Sequence, residues 1–374
     1  MRLSYFEVIG GETMIGILYP RPILLRLIQG KRSFEKPSFY LDAAEQTGEE
    51  IIFFSLYDVD WRKGSVRGWN GKDPNRMTRQ LPSVIINRTR TNHGNVKRRI
   101  RRLKRAGSLV FNEHNVVSKL RIHRILEQNQ QLLPYLPEAN AVTRETVKSM
   151  LERNDCLFLK PRSASVGNGI IRIQKNSDQT IAEINCLGRT KRKKVGIKQI
   201  IKIVKKKNRG YLIQQGISLM TYKDKPVDFR VSVQKNGEGC WQYTGMVGKM
   251  AQKGAIVTNL HCGGRSMKAS KLFEQWGWDQ AKIENKIAGL GVQVAETLDE
   301  ELAHIADLGL DIAIDENQHP WLIEANFRDL RVTFRNAGEK DKWRETFAAP
   351  IRYASYLNKQ LKNKEREANF VQQH

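Results

Sequence analysis

Three oxygen-bearing side chains lie inside two otherwise apolar runs of this 374-residue chain. Asp311 sits in Leu308-Gly-Leu-Asp-Ile-Ala-Ile-Asp315, and Glu324 and Asn326 sit in Pro320-Trp-Leu-Ile-Glu-Ala-Asn-Phe327. A carboxylate within a buried strand is costly unless a cation offsets it. Glu324 and Asn326 are two apart and share one face of a strand. Two carboxylates and an amide on facing strands suit a hard cation such as Mg²⁺, which takes its remaining ligands from water and phosphate. That chemistry points to a nucleotide enzyme.

Four other stretches carry chemistry of their own. In Phe158-Leu-Lys-Pro-Arg-Ser-Ala-Ser-Val-Gly-Asn-Gly169, Lys160 closes an apolar strand and a loop of small residues follows, with Ser163, Ser165, Gly167 and Gly169. Glycine lets backbone N–H groups approach an anion closely, and a strand-terminal lysine adds a point charge. Taken alone, the stretch equally suits a surface hairpin, and it is not a Walker P-loop. Tyr211-Leu-Ile-Gln-Gln-Gly-Ile217 runs an apolar strand into Gln214, Gln215 and Ile217, where amide and backbone groups can read a purine edge; a strand ending in a polar turn is the plainer reading. In Val227-Asp-Phe-Arg-Val-Ser-Val233, Asp228 and Arg230 share a face, as either a phosphate grip or a structural ion pair. Finally, Asn259 precedes the diglycine Gly263-Gly264, a loop able to close over phosphates.

The elements that must position these residues follow from periodicity. The hydrophobic runs flank the polar turn Glu316–His319, so the metal residues belong to a β-hairpin. Between 14 and 112, strand-like runs (Met14–Tyr19, Glu50–Leu56, Ser83–Thr89, Ser108–Phe111) alternate with helical ones (Ser38–Gln46, Asn95–Ala106). This predicts an α/β layer with a largely parallel sheet. A helix is expected over Glu113–Gln131, broken by Leu133-Pro-Tyr-Leu-Pro137. Strands are expected at Cys156–Lys160, Ser163–Asn168, Gly169–Gln174, Tyr211–Gln215, Phe229–Gln234 and Trp241–Met250. Helices are expected at Ile197–Lys206, Asp279–Leu302 and Trp343–Asn363. The resulting division is an extension at 1–13, an α/β domain at 14–112, a larger unit at 113–338 and a C-terminal helix with a polar tail at 339–374.

Composition bounds the rest. Hydrophobic residues make up 40% and charged residues 28%, as in an ordinary globular protein, but the net charge is +25 and the pI about 10.0. Such a charge favours anionic partners. The basic runs Lys97–Arg105, Arg189–Lys194 and Lys202–Lys207 suit either a solvated face or docking to an anionic polymer. They contain no aromatics, which weighs against single-strand nucleic-acid binding. Four scattered cysteines exclude a disulfide framework and a cysteine zinc site, and point to a reducing, cytosolic setting. No apolar run reaches the ~20 residues of a membrane helix. Met1–Thr13 lacks the basic, then apolar, pattern of a secretory signal.

The order of these motifs resembles the ATP-grasp superfamily, of which glutathione synthetase is a member, over about 113–335. The preceding α/β segment is similar to a pre-ATP-grasp domain, and the expected fold is therefore α/β, with α+β lobes meeting near 217. More narrowly, Leu133–Pro137, Phe158–Pro161, Asp228–Arg230, Leu308–Asp315 and Pro320–Asn326 resemble the YheC/YheD-type family associated with the endospore coat. The resemblance implies that Lys119 and Lys160 hold the nucleotide, with the loop of Ser163, Ser165, Gly167 and Gly169 and with Asp228 nearby. It implies that Gln214, Gln215 and Ile217 hold adenine, although the family commonly has an acidic residue at this hinge. Arg230 and Asn259, with Lys160, match the residues at the γ-phosphate and acyl intermediate, and Asp311, Glu324 and Asn326 match the metal ligands.

The implied activity is an ATP-dependent carboxylate–amine or carboxylate–thiol ligase working through an acyl phosphate, with one or two Mg²⁺ ions or Mn²⁺, linked to sporulation. The implied partners are ATP, an unidentified carboxylate and amine, an acidic peptide or polymer, and spore coat proteins. The implied location is cytoplasmic or coat-associated. Two alternatives stay open at this point: a non-catalytic ATP-binding coat component, and a basic protein binding nucleic acid or another anionic polymer.

Overall fold

The computed structural model describes residues 13–162, 169–176, 179–186, 189–206, 210–255, 258, 260 and 263–372. The described residues form three sheets. The first contains β1 (Met14–Leu18), β2 (Glu50–Phe54), β3 (Val59–Asp60), β4 (Ser65–Trp69), β5 (Arg76–Gln80), β6 (Val84–Asn87) and β7 (Leu109–Phe111). Its order is β3-β4-β2-β1-β6-β7, with β5 on β4. β1 and β6 are buried along their whole length, which is why they read as unbroken apolar runs. One face of the sheet packs on α1 (Arg21–Ile28) and α2 (Pro37–Thr47), the other on α3 (Gly94–Arg105).

The second sheet is antiparallel, in the order β12-β11-β10-β9-β13-β8. It comprises β8 (Ala139–Ala141), β9 (Cys156–Pro161), β10 (Ile171–Lys175), β11 (Thr180–Cys186), β12 (Arg189–Lys194) and β13 (Tyr211–Gln215). After α4 (Lys119–Leu126), the helices α5 (Arg144–Arg153) and α6 (Ile197–Lys206) cover its apolar face. The third sheet runs β17-β16-β15-β18-β19, with β14 (Thr221–Tyr222) on β15. Its strands are β15 (Lys225–Lys235), β16 (Trp241–Met250), β17 (Arg265–Lys268), β18 (Asp307–Ile314) and β19 (Pro320–Asn326). α4, α7 (Ala269–Trp276) and α8 (Gln280–Glu301) pack on its apolar face. Then come α9 (Val332–Ala337) and α10 (Lys340–Gln372). Among the described residues no helix is long and apolar enough to cross a membrane.

Three expectations need correction. The helix expected over Glu113–Gln131 forms only over α4. Upstream of it, Asn112 adopts a left-handed φ of 53°, and the Asn115 amide is committed to Thr91 N, Thr91 Oγ1 and Thr89 O at 2.6–3.1 Å. Local side-chain bonds of this kind compete with a helical ladder. The first sheet is parallel only across β2-β1-β6-β7; the polar stretch 59–80 adds an antiparallel arm that its weak apolar pattern does not reveal. The C-terminal helix runs beyond Asn363 to Gln372, through residues read as a polar tail. Its apolar residues Phe347, Ile351 and Ala354 enter the core of the first sheet.

A buried ionic network joins that sheet to the β18–β19 hairpin. Arg331 is fully buried; it pairs with Asp307 and donates to the Tyr40 hydroxyl at 2.7 Å. Arg88 pairs with Glu35 at 2.8 Å and Asp307 at 3.4 Å, and donates to the Asp329 carbonyl at 2.7 Å. Gln234 donates to Asp307 at 3.0 Å. Removing one member leaves buried charge without compensation. Asp307→Ala is therefore expected to cost about 3–5 kcal/mol, read as a lower urea midpoint; an unchanged midpoint would show that the network does not hold the two sheets together.

Candidate functional site

The polar face of the third sheet is the floor of the site. Along β15, Phe229, Val231 and Val233 point into the core, so strand alternation turns Asp228, Arg230, Ser232 and Gln234 to the opposite face. Register then selects their neighbours. Asp228 lies opposite Lys249, Arg230 opposite Asp311, Asp311 opposite Glu324, and Asn326 opposite Gly309. Gly309 is required by crowding: a Cβ there would lie 2.8 Å from the Asp329 carboxyl carbon and 3.0 Å from an Arg230 nitrogen.

Charges alternate across this floor. Arg230 donates from Nε to Asp311 Oδ1 and from Nη1 to Asp329 Oδ1, both at 2.8 Å, and Ser232 donates to the other Asp329 oxygen at 2.6 Å. Lys249 Nζ is 3.0 Å from Asp311 and 3.2 Å from Asp228, whose second oxygen accepts from Thr258 at 2.6 Å. Burial by itself would raise the Asp311 carboxyl, but Arg230 and Lys249 outweigh it and hold it at about 2. At Asp228 burial wins and pushes the carboxyl up, despite Lys249. Burial opposes the charge on Lys249, but Asp228 and Asp311 raise its ammonium above the usual value.

The opposite wall comes from the second sheet and α4. Lys119, the first residue of α4 behind the Ser118 cap, pairs with Glu324. Lys160 ends β9 and bonds to the Gln214 side chain on β13. The floor, this wall and the segment Gln215–Leu219 enclose a cavity of about 640 Å³.

Lys119, Lys160, Gln214, Gln215, Ile217, Asp228, Arg230, Asp311, Glu324 and Asn326 all line this one cavity. The Gln215 side-chain oxygen accepts from Glu138 N at 3.2 Å, at the junction of the two lobes. Gly169 does not line the cavity; its carbonyl accepts from the Tyr211 hydroxyl at 3.1 Å. Ser163, Ser165, Gly167 and Asn259 lie outside the described residues. Among the lining residues that escaped the sequence reading are Lys249, Thr258, Arg328 and Asp329. A lysine inside the apolar strand Met246–Met250, and the charged pair Arg328-Asp329 shortly after Asn326, were the available signals.

Among the described residues, no group of three or more His, Cys, Asp and Glu side chains is placed to hold a metal ion by itself. The donor set is two carboxylates and one amide. That set fits a hard oxygen-seeking cation.

A family model for YheC/D-like ATP-grasp matches residues 107–357. The chain is similar to endospore coat-associated protein YheD of Bacillus subtilis (strain 168), at 24% identity over 337 residues, covering 84% of this chain and 72% of that protein. In fold it is similar to D-alanyl-alanine synthetase A from Vibrio cholerae O1 biovar eltor, with a TM-score of 0.55 at 11% identity, covering 93% and 100% of the two chains. It is also similar to the ATP-grasp ligase PsnB complexed with a phosphomimetic variant of its minimal precursor, Mg and ADP. There the TM-score is 0.51 at 12% identity, covering 94% and 100%.

Burial lowers the Lys160 ammonium to about 8, against the attraction of Glu324. An anion bound beside it favours the charged form, so binding takes up a proton around and above pH 8. Affinity for inorganic pyrophosphate should accordingly fall as pH rises past 8, approaching about tenfold per pH unit. Lys160→Arg should flatten this dependence, because a guanidinium keeps its charge. Calorimetry across that pH range checks it, and a flat wild-type profile would remove Lys160 from the anion site.

Proposed function

The chain belongs to the YheC/D-like ATP-grasp family, and from that premise we propose that it is an ATP- and Mg²⁺-dependent ligase joining a carboxylate to an amine or thiol, working in spore coat assembly or sporulation. The observation that carries this reading is the register of β15, β18 and β19. It aligns Arg230, Asp311, Glu324 and Asn326 along one wall of a cavity that also holds Lys119 and Lys160.

In this reading the adenine lies against Gln214, Gln215 and Ile217, where the strand β13 gives way to exposed backbone. Lys119 and Lys160 neutralise phosphate oxygens from the second-sheet side. Arg230 meets the γ-phosphate with a guanidinium whose orientation is fixed by two carboxylates, so little reorganisation is needed during transfer. Asn259 is assigned beside it on the family resemblance. Asp228 keeps Lys249 charged at the same floor. Asp311, Glu324 and Asn326 are the residues that would hold Mg²⁺, which when bound would neutralise phosphate charge.

The substrate carboxylate oxygen attacks the γ-phosphorus, and ADP leaves with the electrons of the broken P–O bond. The acyl phosphate is then attacked at carbon by the amine; inorganic phosphate departs and the nitrogen loses a proton. The enzyme needs no covalent nucleophile for this. Its part is to align the reactants and to exclude water from the mixed anhydride.

The ion pairs of the site set the cost of binding. Lys119 must exchange Glu324 for phosphate, and Glu324 must exchange Lys119 for the cation. Glu324→Gln removes a metal oxygen's charge and frees Lys119 at once. It should therefore reduce Mg-ADP affinity by about a hundredfold or more, with the circular-dichroism spectrum and melting curve unchanged. A well-folded variant that binds Mg-ADP normally would refute the metal assignment. Release of ADP from ATP, dependent on an added carboxylate and amine, tests the ligase reaction itself.

A further inference from the structure

The helix α3 carries seven cations and no acid between Gly94 and Arg105. They have different fates. Arg99 donates to the Leu56 carbonyl at 3.0 Å and lies over the Tyr57 ring, Arg102 lies over the Trp61 ring, and Lys104 pairs with Glu113 at 2.8 Å. Ile100 and Leu103 anchor the helix in the core. The remaining four, Lys97, Arg98, Arg101 and Arg105, are exposed and have no carboxylate partner among the described residues. Their spacing of three and four residues puts them on one stripe, about 12 Å long at 1.5 Å per residue.

The stripe begins near the cavity. α3 connects β6 to the parallel strand β7, so its first turn lies at the carboxyl end of β6. Ligands of open α/β sheets bind at that end. Arg88 and Arg90 follow β6 directly, and Gly94 opens α3 four residues after Arg90. Arg90 lines the cavity, and so does Arg328. Arg328 donates to the Arg88 carbonyl at 3.1 Å and has no carboxylate partner among the described residues. By contrast, carboxylates compensate the neighbouring Arg88, Arg230 and Arg331.

From this arrangement we infer that Lys97, Arg98, Arg101 and Arg105, continued at the cavity wall by Arg90 and Arg328, form a track for an acidic peptide, one of whose carboxyl groups is the one activated in the cleft. The inference rests on the ligase reading for the fate of that carboxyl; the track itself follows from the charge layout. A polycarboxylate satisfies both requirements, since it supplies the reacting group and the additional negative charges. Single-stranded nucleic acid satisfies neither as well. The nearby aromatic faces, Tyr57 and Trp61, are engaged by guanidinium groups of Arg99 and Arg102 rather than offered to bases.

The test uses the full chain and a fluorescein-labelled oligoglutamate peptide, followed by anisotropy at low and moderate salt. The wild type should bind it, with affinity falling as salt rises. A chain carrying Lys97→Gln, Arg98→Gln, Arg101→Gln and Arg105→Gln should bind at least about tenfold more weakly. Arg328→Gln should weaken binding further. Mg-ADP binding by the same samples reports whether the nucleotide cleft is intact. Absence of peptide binding by the wild type would overturn the proposal. So would equal binding by the fourfold variant, or tighter binding of an oligothymidylate of equal charge. Failure of the wild type to bind Mg-ADP would strike the ligase reading instead and leave the peptide result standing.

Discussion

Arg230 held between Asp311 and Asp329 is the interaction on which the rest of the molecule depends. A guanidinium removed from water costs several kcal/mol unless its hydrogen bonds are replaced. Here two carboxylates on two different segments replace them, one on β18 and one just past β19. The pair therefore fixes where β18 lies against β15 and where the chain must turn after the β18–β19 hairpin. Gly309 shows how tight that fit is, because even a methyl group would collide with both partners.

From Asp329 the constraint runs outward. The backbone N–H of Arg331 donates to Asp329 Oδ1 at 3.2 Å, and Arg331 holds a left-handed φ of 60° as α9 begins. Its guanidinium lies over the Phe347 ring of α10 at 4.5 Å and pairs with Asp307 at the start of β18. Asp307 also reaches Arg88, which follows β6. A chain of charges thus links the cavity floor to the carboxyl edge of the first sheet. Geometry at one end is set by packing at the other. Such continuity suits a site whose substrates must meet across two units.

The same floor is internally compensated. Its acids and bases satisfy one another, Lys119 with Glu324 and Lys249 with Asp228 and Asp311, while Lys160 bonds to the Gln214 amide. On the proposed reading, a bound cation and phosphates would replace these contacts with others of the same kind, so binding would trade polar pairs instead of burying bare charge. Arg230 differs, since its second carboxylate, Asp329, is buried and also bonds Ser232 and the Arg331 backbone.

Much of the site was legible because strand alternation is local. A period of two determines that Asp228 and Arg230 share a face, that Glu324 and Asn326 share another, and that Phe229, Val231 and Val233 are core. The hairpin around Glu316–His319 and the strands Tyr211–Gln215 and Trp241–Met250 were readable for the same reason. What sequence could not determine is which faces meet. Lys249 reaches Asp311 and Arg230 reaches Asp329 through pairings dozens of residues apart, and Arg331 meets Tyr40 across 291 residues. No local period encodes those distances. The short helix α4 and the reach of α10 into the first core likewise follow from contacts with distant segments. The sequence by itself determined the chemical types and their faces; tertiary structure alone decided their partners, because register and sheet packing select contacts only after the chain has closed on itself.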